Sequence, residues 1–197
     1  MNTDNSAIAA KIKQRNVIDM ALTFTAMIRL FEKGSKPEIS EKLYVEFQKL
    51  KDIRDINDFY TFHKKFCEWF TNNIKIAQKK RDGKIIKESG YSLYGHAAKL
   101  LDVSLKVYVY YSGLPEKNTS ELLLPFLNTA IDNPILKHLK TSFPNENISS
   151  KTVEQIDKNT YKKLQQLIKA DIKTSFNNDI VPTQYDDIMW YRLNREK

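Results

Sequence analysis

A chain of 197 residues with 41% hydrophobic side chains has enough apolar material for one ordinary core, and its formal charge of +8 favours anionic partners over cationic ones. With 5 glycines and 6 prolines it has few chain breakers, which argues against a many-turned sheet protein and for helices joined by short loops. A single cysteine, Cys67, excludes an intrachain disulfide and a cysteine-ligated iron–sulfur cluster and fits a reducing, cytoplasmic setting.

The amino terminus lacks the basic and apolar regions of a secretory leader, and no apolar run reaches bilayer-spanning length. From about Asn5 to Lys33, apolar residues from Ile8 and Ile12 through Met20, Phe24 and Phe31 recur at three and four, which predicts an amphipathic helix closed by Gly34 and Pro37. A second helix is expected from Pro37 to Leu50 with Leu43, Phe47 and Leu50 inward. Asp55 to Asp58 offer N-caps for a third, carrying Phe59, Phe62, Phe66, Trp69, Phe70 and Ile74 on a stripe typical of a core. The densest basic run follows at residues 78–84, with Lys80, Arg81 and Lys84, then Lys87; its default is a solvated helix end, and its alternative is a track for a phosphate backbone.

Residues 91–111 read as an apolar helix stopped by Gly113 and Pro115, and so buried. Burying an ammonium is costly, so Lys99 in this helix must look outward, meet a carboxylate or lose its proton. Lys99, Asp102 and Lys106 fall at i, i+3 and i+7, a spacing that fits a solvated, ion-paired stripe with no chemistry. Downstream, Asp132 before Asn133-Pro134 has the pattern of a helix N-cap with proline in the first turn. Short helices are expected near residues 120–125 and 134–140, a longer one over Lys151–Thr174, and a last hydrophobic segment, Tyr185 to Leu193, containing Trp190 and packing on the core beside the Lys99 helix. The pattern is that of an all-α bundle of about seven to nine helices in one domain, 1–197, compatible with lobes at 1–88 and 89–197.

The run Gly95-His96-Ala97-Ala98-Lys99 resembles the Gly-x-Gly-x-Lys turn of the helix-hairpin-helix DNA glycosylase/lyases, with Ala97 at the second glycine. Ile131-Asp132-Asn133-Pro134 is similar to the family's hydrophobic-Asp segment, and the long spacing from lysine to aspartate looks most like the archaeal 8-oxoguanine branch. The family's Leu-Pro-Gly hairpin is replaced by Ser92-Leu93-Tyr94, and the likeness covers residues 91–140 only. The resemblance implies a DNA partner, Lys99 as amine nucleophile, Asp132 as its carboxylate support, and a phosphate held near Gly95 and His96. Lys80, Arg81, Lys84 and Lys87 would contact the backbone, and Trp69 or Trp190 would flank an extruded base. No cofactor is expected, and the histidines His63, His96 and His138 lack metal-ligand spacing. Phosphate-loop and serine-elbow motifs are missing as well. The competing expectation is a non-enzymatic basic helical module that binds nucleic acid or protein.

Overall fold

The computed structural model describes residues 5–195, leaving out the side chains of Lys80, Asn194 and Arg195; residues 1–4, the start of the segment read above for a leader, lie outside it together with residues 196–197. The architecture is all-α, with eight α-helices among the described residues: α1 (Asn5–Phe24), α2 (Ser35–Phe47), α3 (Ile56–Asn73), α4 (Tyr94–Leu105), α5 (Lys117–Leu123), α6 (Asn133–Ser142), α7 (Lys158–Phe176) and α8 (Pro182–Arg195). No helix among them is long and apolar enough to cross a membrane.

The centre is α4, which packs on α1, α3 and α7. Ala97, Ala98, Leu100, Leu101 and Leu105 are all buried, so the helix is apolar on nearly every side and must be enclosed. Its last turn opens into a π-helical stretch, Lys106–Tyr111, and ends where Gly113 turns to a left-handed φ of 62°. Against it lies the aromatic stripe of α3, where Phe59, Phe66 and Phe70 are fully or almost fully buried. Asp55 starts α3 by accepting hydrogen bonds from the Asn57 and Asp58 amides. Leu43, Phe47 and Leu50 point inward, and one connected apolar cluster runs from Ile18 on α1 to Met189 on α8.

Three expectations need correction. The first helix ends at Phe24 rather than near Lys33, because the Thr25 hydroxyl accepts from the Met27 amide (3.3 Å) and starts a separate 3-10 turn, Ala26–Leu30. Its buried face is Ile18, Ala21 and Leu22, whereas Ile8, Ile12, Met20 and Phe24 are exposed. Helix α7 begins at Lys158, where the Asp157 carboxylate accepts from the Thr160 amide at 2.7 Å, and residues 153–155 form a 3-10 turn.

The third correction concerns the basic run, which is a β-arm and not a helix end. Strands β1 (Lys75–Ile76) and β4 (Gly90–Tyr91) pair at its base, and β2 (Lys79–Arg81) and β3 (Lys84–Lys87) pair antiparallel at its tip. Asp82 and Gly83 both take positive φ, 51° and 75°, the requirement of a two-residue hairpin turn whose twist matches its strands. The base is anchored by Ala77 N–H to Leu30 O (2.8 Å) and Glu32 N–H to Lys75 O (3.0 Å).

Gly95 shows how closely α4 is embraced. A Cβ there would stand 2.0 Å from the Val153 carbonyl oxygen, whereas at Gly90 it would meet nothing within 4 Å. Gly95→Ala is therefore expected to cost about 1–3 kcal/mol in urea unfolding, as overpacking does, while Gly90→Ala changes stability by less than about 0.5 kcal/mol.

Candidate functional site

Each residue of α4 turns the helix by about 100°, so Lys99 and Lys106 project on nearly one side while Asp102 lies roughly 60° around from Lys99. Two cavities flank the helix accordingly. The first, of about 550 Å³, is lined by Lys99, Val103 and Lys106, by Asp132 at the head of α6, and by Asp186, Asp187 and Trp190 of α8. Phe24 to Ala26 close another side.

The two lysines differ in company. Lys106 Nζ stands 2.7 Å from Asp186 Oδ2 and 2.5 Å from Asp187 Oδ1, and the Tyr111 hydroxyl donates to Asp187 Oδ1 at 2.6 Å. Burial alone would lower the Lys106 ammonium, but the two carboxylates outweigh it and hold the proton more tightly than usual. Burial also pushes the Asp186 carboxyl up to about 6, against the pull of Lys106 and with help from the charges of Asp132 and Asp187. Lys99 is half-buried and makes no ion pair among the described residues. Asp132 caps α6, its Oδ1 accepting from the Ile135 amide at 2.9 Å, with Pro134 in the first turn.

The solvated stripe proposed for Lys99, Asp102 and Lys106 does not exist, because α4 is enclosed on both flanks. Asp102 is 1% exposed and faces inward. Its Oδ2 accepts from the Tyr161 hydroxyl at 2.7 Å, its Oδ1 lies 3.1 Å from His63 Nε2, and His63 Nδ1 lies 3.6 Å from Cys67 Sγ. Burial opposes the His63 charge, but neighbouring Cys67 and Asp102 raise its affinity for the proton overall. Burial raises the Asp102 carboxyl, with His63, Tyr161 and Asn128 pulling the other way. The order thiol, imidazole, carboxylate is that of a nucleophilic relay. Cys67, however, is 0% exposed and lines neither cavity, so no substrate reaches the thiol, and the network ties α3, α4 and α7 together.

Beside this network lies the second cavity, of about 340 Å³, between α3 and α7. Neither His63 nor Tyr161 stood out in the sequence as a site residue. The available signal was a histidine on the aromatic stripe of α3, where a polar ring must find buried partners. Asp186 and Asp187 carried no local signal of a partner 80 residues away.

The remaining candidates divide. Gly95 and His96 do not offer a phosphate-binding turn: both lie in the first turn of α4 and are buried, Gly95 beneath Val153 and His96 against Phe31, with its Nδ1 accepting from the Leu93 amide at 3.2 Å. What precedes them is the β-arm rather than a helical hairpin. Trp69 packs on Phe66 and Phe70 under Lys42 and lines neither cavity, whereas Trp190 lines the Lys99 cavity and is half-exposed. Arg81 and Lys84 face each other across the exposed tip of the arm, Lys87 is paired with Glu154, and the Lys80 side chain lies outside the described residues. Among the described residues no group of three His, Cys, Asp or Glu side chains could hold a metal ion. Compared with known proteins, the chain matches no family model, no curated protein and no solved structure.

Removing Lys106 would strand Asp186, whose side chain is 11% exposed. Lys106→Ala is expected to cost about 3–5 kcal/mol, and Lys99→Ala less than about 1 kcal/mol, in parallel denaturant melts. Asp186 also sets a pH dependence. Its folded value near 6 exceeds the ordinary 3.8, so between these the native state binds more protons than the unfolded chain, and the contribution of Asp186 to stability falls as pH rises. Between pH 4 and 6.5, wild type should lose roughly 1–3 kcal/mol relative to Asp186→Asn, measured by thermal melts at each pH.

Proposed function

We propose that this chain is a DNA base-excision enzyme of the glycosylase/lyase type, with Lys99 as nucleophile and Asp132 as its supporting carboxylate. The observation that carries the reading is the cavity beside α4, which combines a half-buried lysine without an ion pair among the described residues, a helix-capping aspartate and an exposed tryptophan. The other lysine there is already neutralised by Asp186 and Asp187. The reading rests on this pair and not on a helical hairpin.

In this mechanism the Lys99 amine, once unprotonated, attacks the sugar C1′ while the C1′–N bond breaks and the base leaves with the bonding electrons, taking up a proton. The amine gives up its own proton, and loss of the ring C1′–O4′ bond, with protonation of O4′, yields the Schiff base. The free Oδ2 of Asp132, whose Oδ1 is held by the α6 cap, would face the developing cationic sugar. Trp190 would stack on an extruded base, and Arg81 and Lys84 at the tip of the β-arm would follow the phosphate backbone. Lys87 contributes less, since Glu154 already pairs with it.

The β-arm favours a second reading, a non-enzymatic module that holds nucleic acid by the arm alone. Its tip carries Arg81 and Lys84 beside exposed Ile85 and Ile86, none of which lines the Lys99 cavity. Borohydride trapping on oligonucleotides carrying abasic or oxidised-purine sites separates the two. The enzyme reading expects a covalent adduct that disappears in Lys99→Ala and Lys99→Gln and falls by about 100-fold or more in Asp132→Asn. Binding without any adduct, lost when Arg81 and Lys84 become glutamates, would leave the module instead.

A further inference from the structure

We infer that the second cavity, between α3 and α7, is a binding site for a nucleoside 5′-monophosphate, separate from the Lys99 cavity. The inference goes beyond the excision reading and does not depend on it. Four lysines surround the opening, Lys64 from α3 and Lys158, Lys162 and Lys169 from α7. Among the described residues the carboxylate they pair with is that of Glu68, 3.7 Å from Lys64 and 3.6 Å from Lys158, and Lys162 makes no ion pair. Such a rim attracts a compact anion of charge near two, the charge of a terminal phosphate.

The interior asks for something other than an anion. Asn128 lines the cavity, is 4% exposed, and its Oδ1 has no hydrogen-bond partner. The same amide helps to lower the Asp102 carboxyl, and its oxygen remains a buried acceptor. An unsatisfied buried acceptor is costly, and a ligand N–H would relieve it. The other polar wall residues at that depth are already spent: His63 and Tyr161 are engaged with Asp102, and Gln165 Nε2 donates to Thr129 O at 2.8 Å while its Oε1 accepts from the Thr129 amide at 3.2 Å. Tyr94 stands edge-on to Tyr161, with ring centroids 5.7 Å apart, and Tyr60 lies under Lys169, so the walls offer aromatic surface to a flat ring.

A ligand that answers all three features carries a phosphate outside, a planar heteroaromatic between, and an amino or ring N–H donor inside. A nucleotide does so, and about 340 Å³ falls in the range of small-molecule pockets. The same chemistry is offered by a free mononucleotide or by the phosphorylated 5′ end of a strand.

Calorimetric titration of the full chain with AMP, CMP, adenosine, inorganic phosphate and a 5′-phosphorylated oligonucleotide tests this. AMP or CMP should bind at least about tenfold tighter than adenosine and than phosphate, and Lys162→Glu, at an exposed position, should weaken binding by roughly tenfold or more. Asn128→Leu should weaken AMP and leave phosphate unchanged. An oligonucleotide tighter than AMP assigns the site to strand ends, and one that is equal assigns it to free nucleotides. Phosphate binding as tightly as AMP, no heat with any nucleotide, or an unaltered Lys162→Glu would each overturn the proposal.

Discussion

The enclosure of α4 governs the rest of the molecule. A helix buried on nearly all sides can carry ionisable groups only where each finds its own compensation, and three such groups sit within two turns. Asp102 is answered by His63, Tyr161 and Asn128, and Lys106 by Asp186 and Asp187, from elements far apart in the chain. These polar ties draw α3, α7 and α8 onto one helix with fixed angular placement, which apolar contact alone specifies less sharply. A parallel arrangement holds the far end, where Asp171 on α7 meets Tyr185 of α8 at 2.6 Å and His138 of α6 at 3.0 Å. Lys99 is the exception, and it is the exception that gives its cavity chemical interest.

The two cavities follow from this geometry. Because neighbours on α4 are offset by about 100°, helices packed on opposite flanks leave separate gaps, and the charged residues divide between them. One gap collects two lysines with three carboxylates, and the other collects a lysine rim over amide, aromatic and His63 side chains. The β-arm, whose exposed basic residues line neither, adds a third electrostatic feature to a chain of charge +8.

Much of the helical layout was legible because it rests on local signals. Asp55 and Asp132 cap the helices their spacing announces, the α3 stripe is buried, and Gly113 ends the helix it follows. The β-arm was missed although Asp82-Gly83 between Lys79 to Arg81 and Lys84 to Lys87 is a strong hairpin signal; lysine is a poor strand former, and the charge pattern masked the turn. The outward side of α1 was misassigned because it is apolar as well, so periodicity alone could not choose between two greasy faces. What could not be read at all were the long-range polar pairs. The partners of Asp102 and Lys106 are set by tertiary contact, and an i, i+3, i+7 spacing describes neighbours on one helix only.

The attachment of Lys106 gives α8 a particular status. Its Asp186 and Asp187 supply half of an electrostatic clasp whose other half lies on the central helix, and its Trp190 walls the same hollow. Shortening the chain before Pro182 would thus do more than trim an end. It would widen the opening of the hollow, strip the Lys106 ammonium of its two carboxylates, and turn a charge-balanced pocket into a cationic groove.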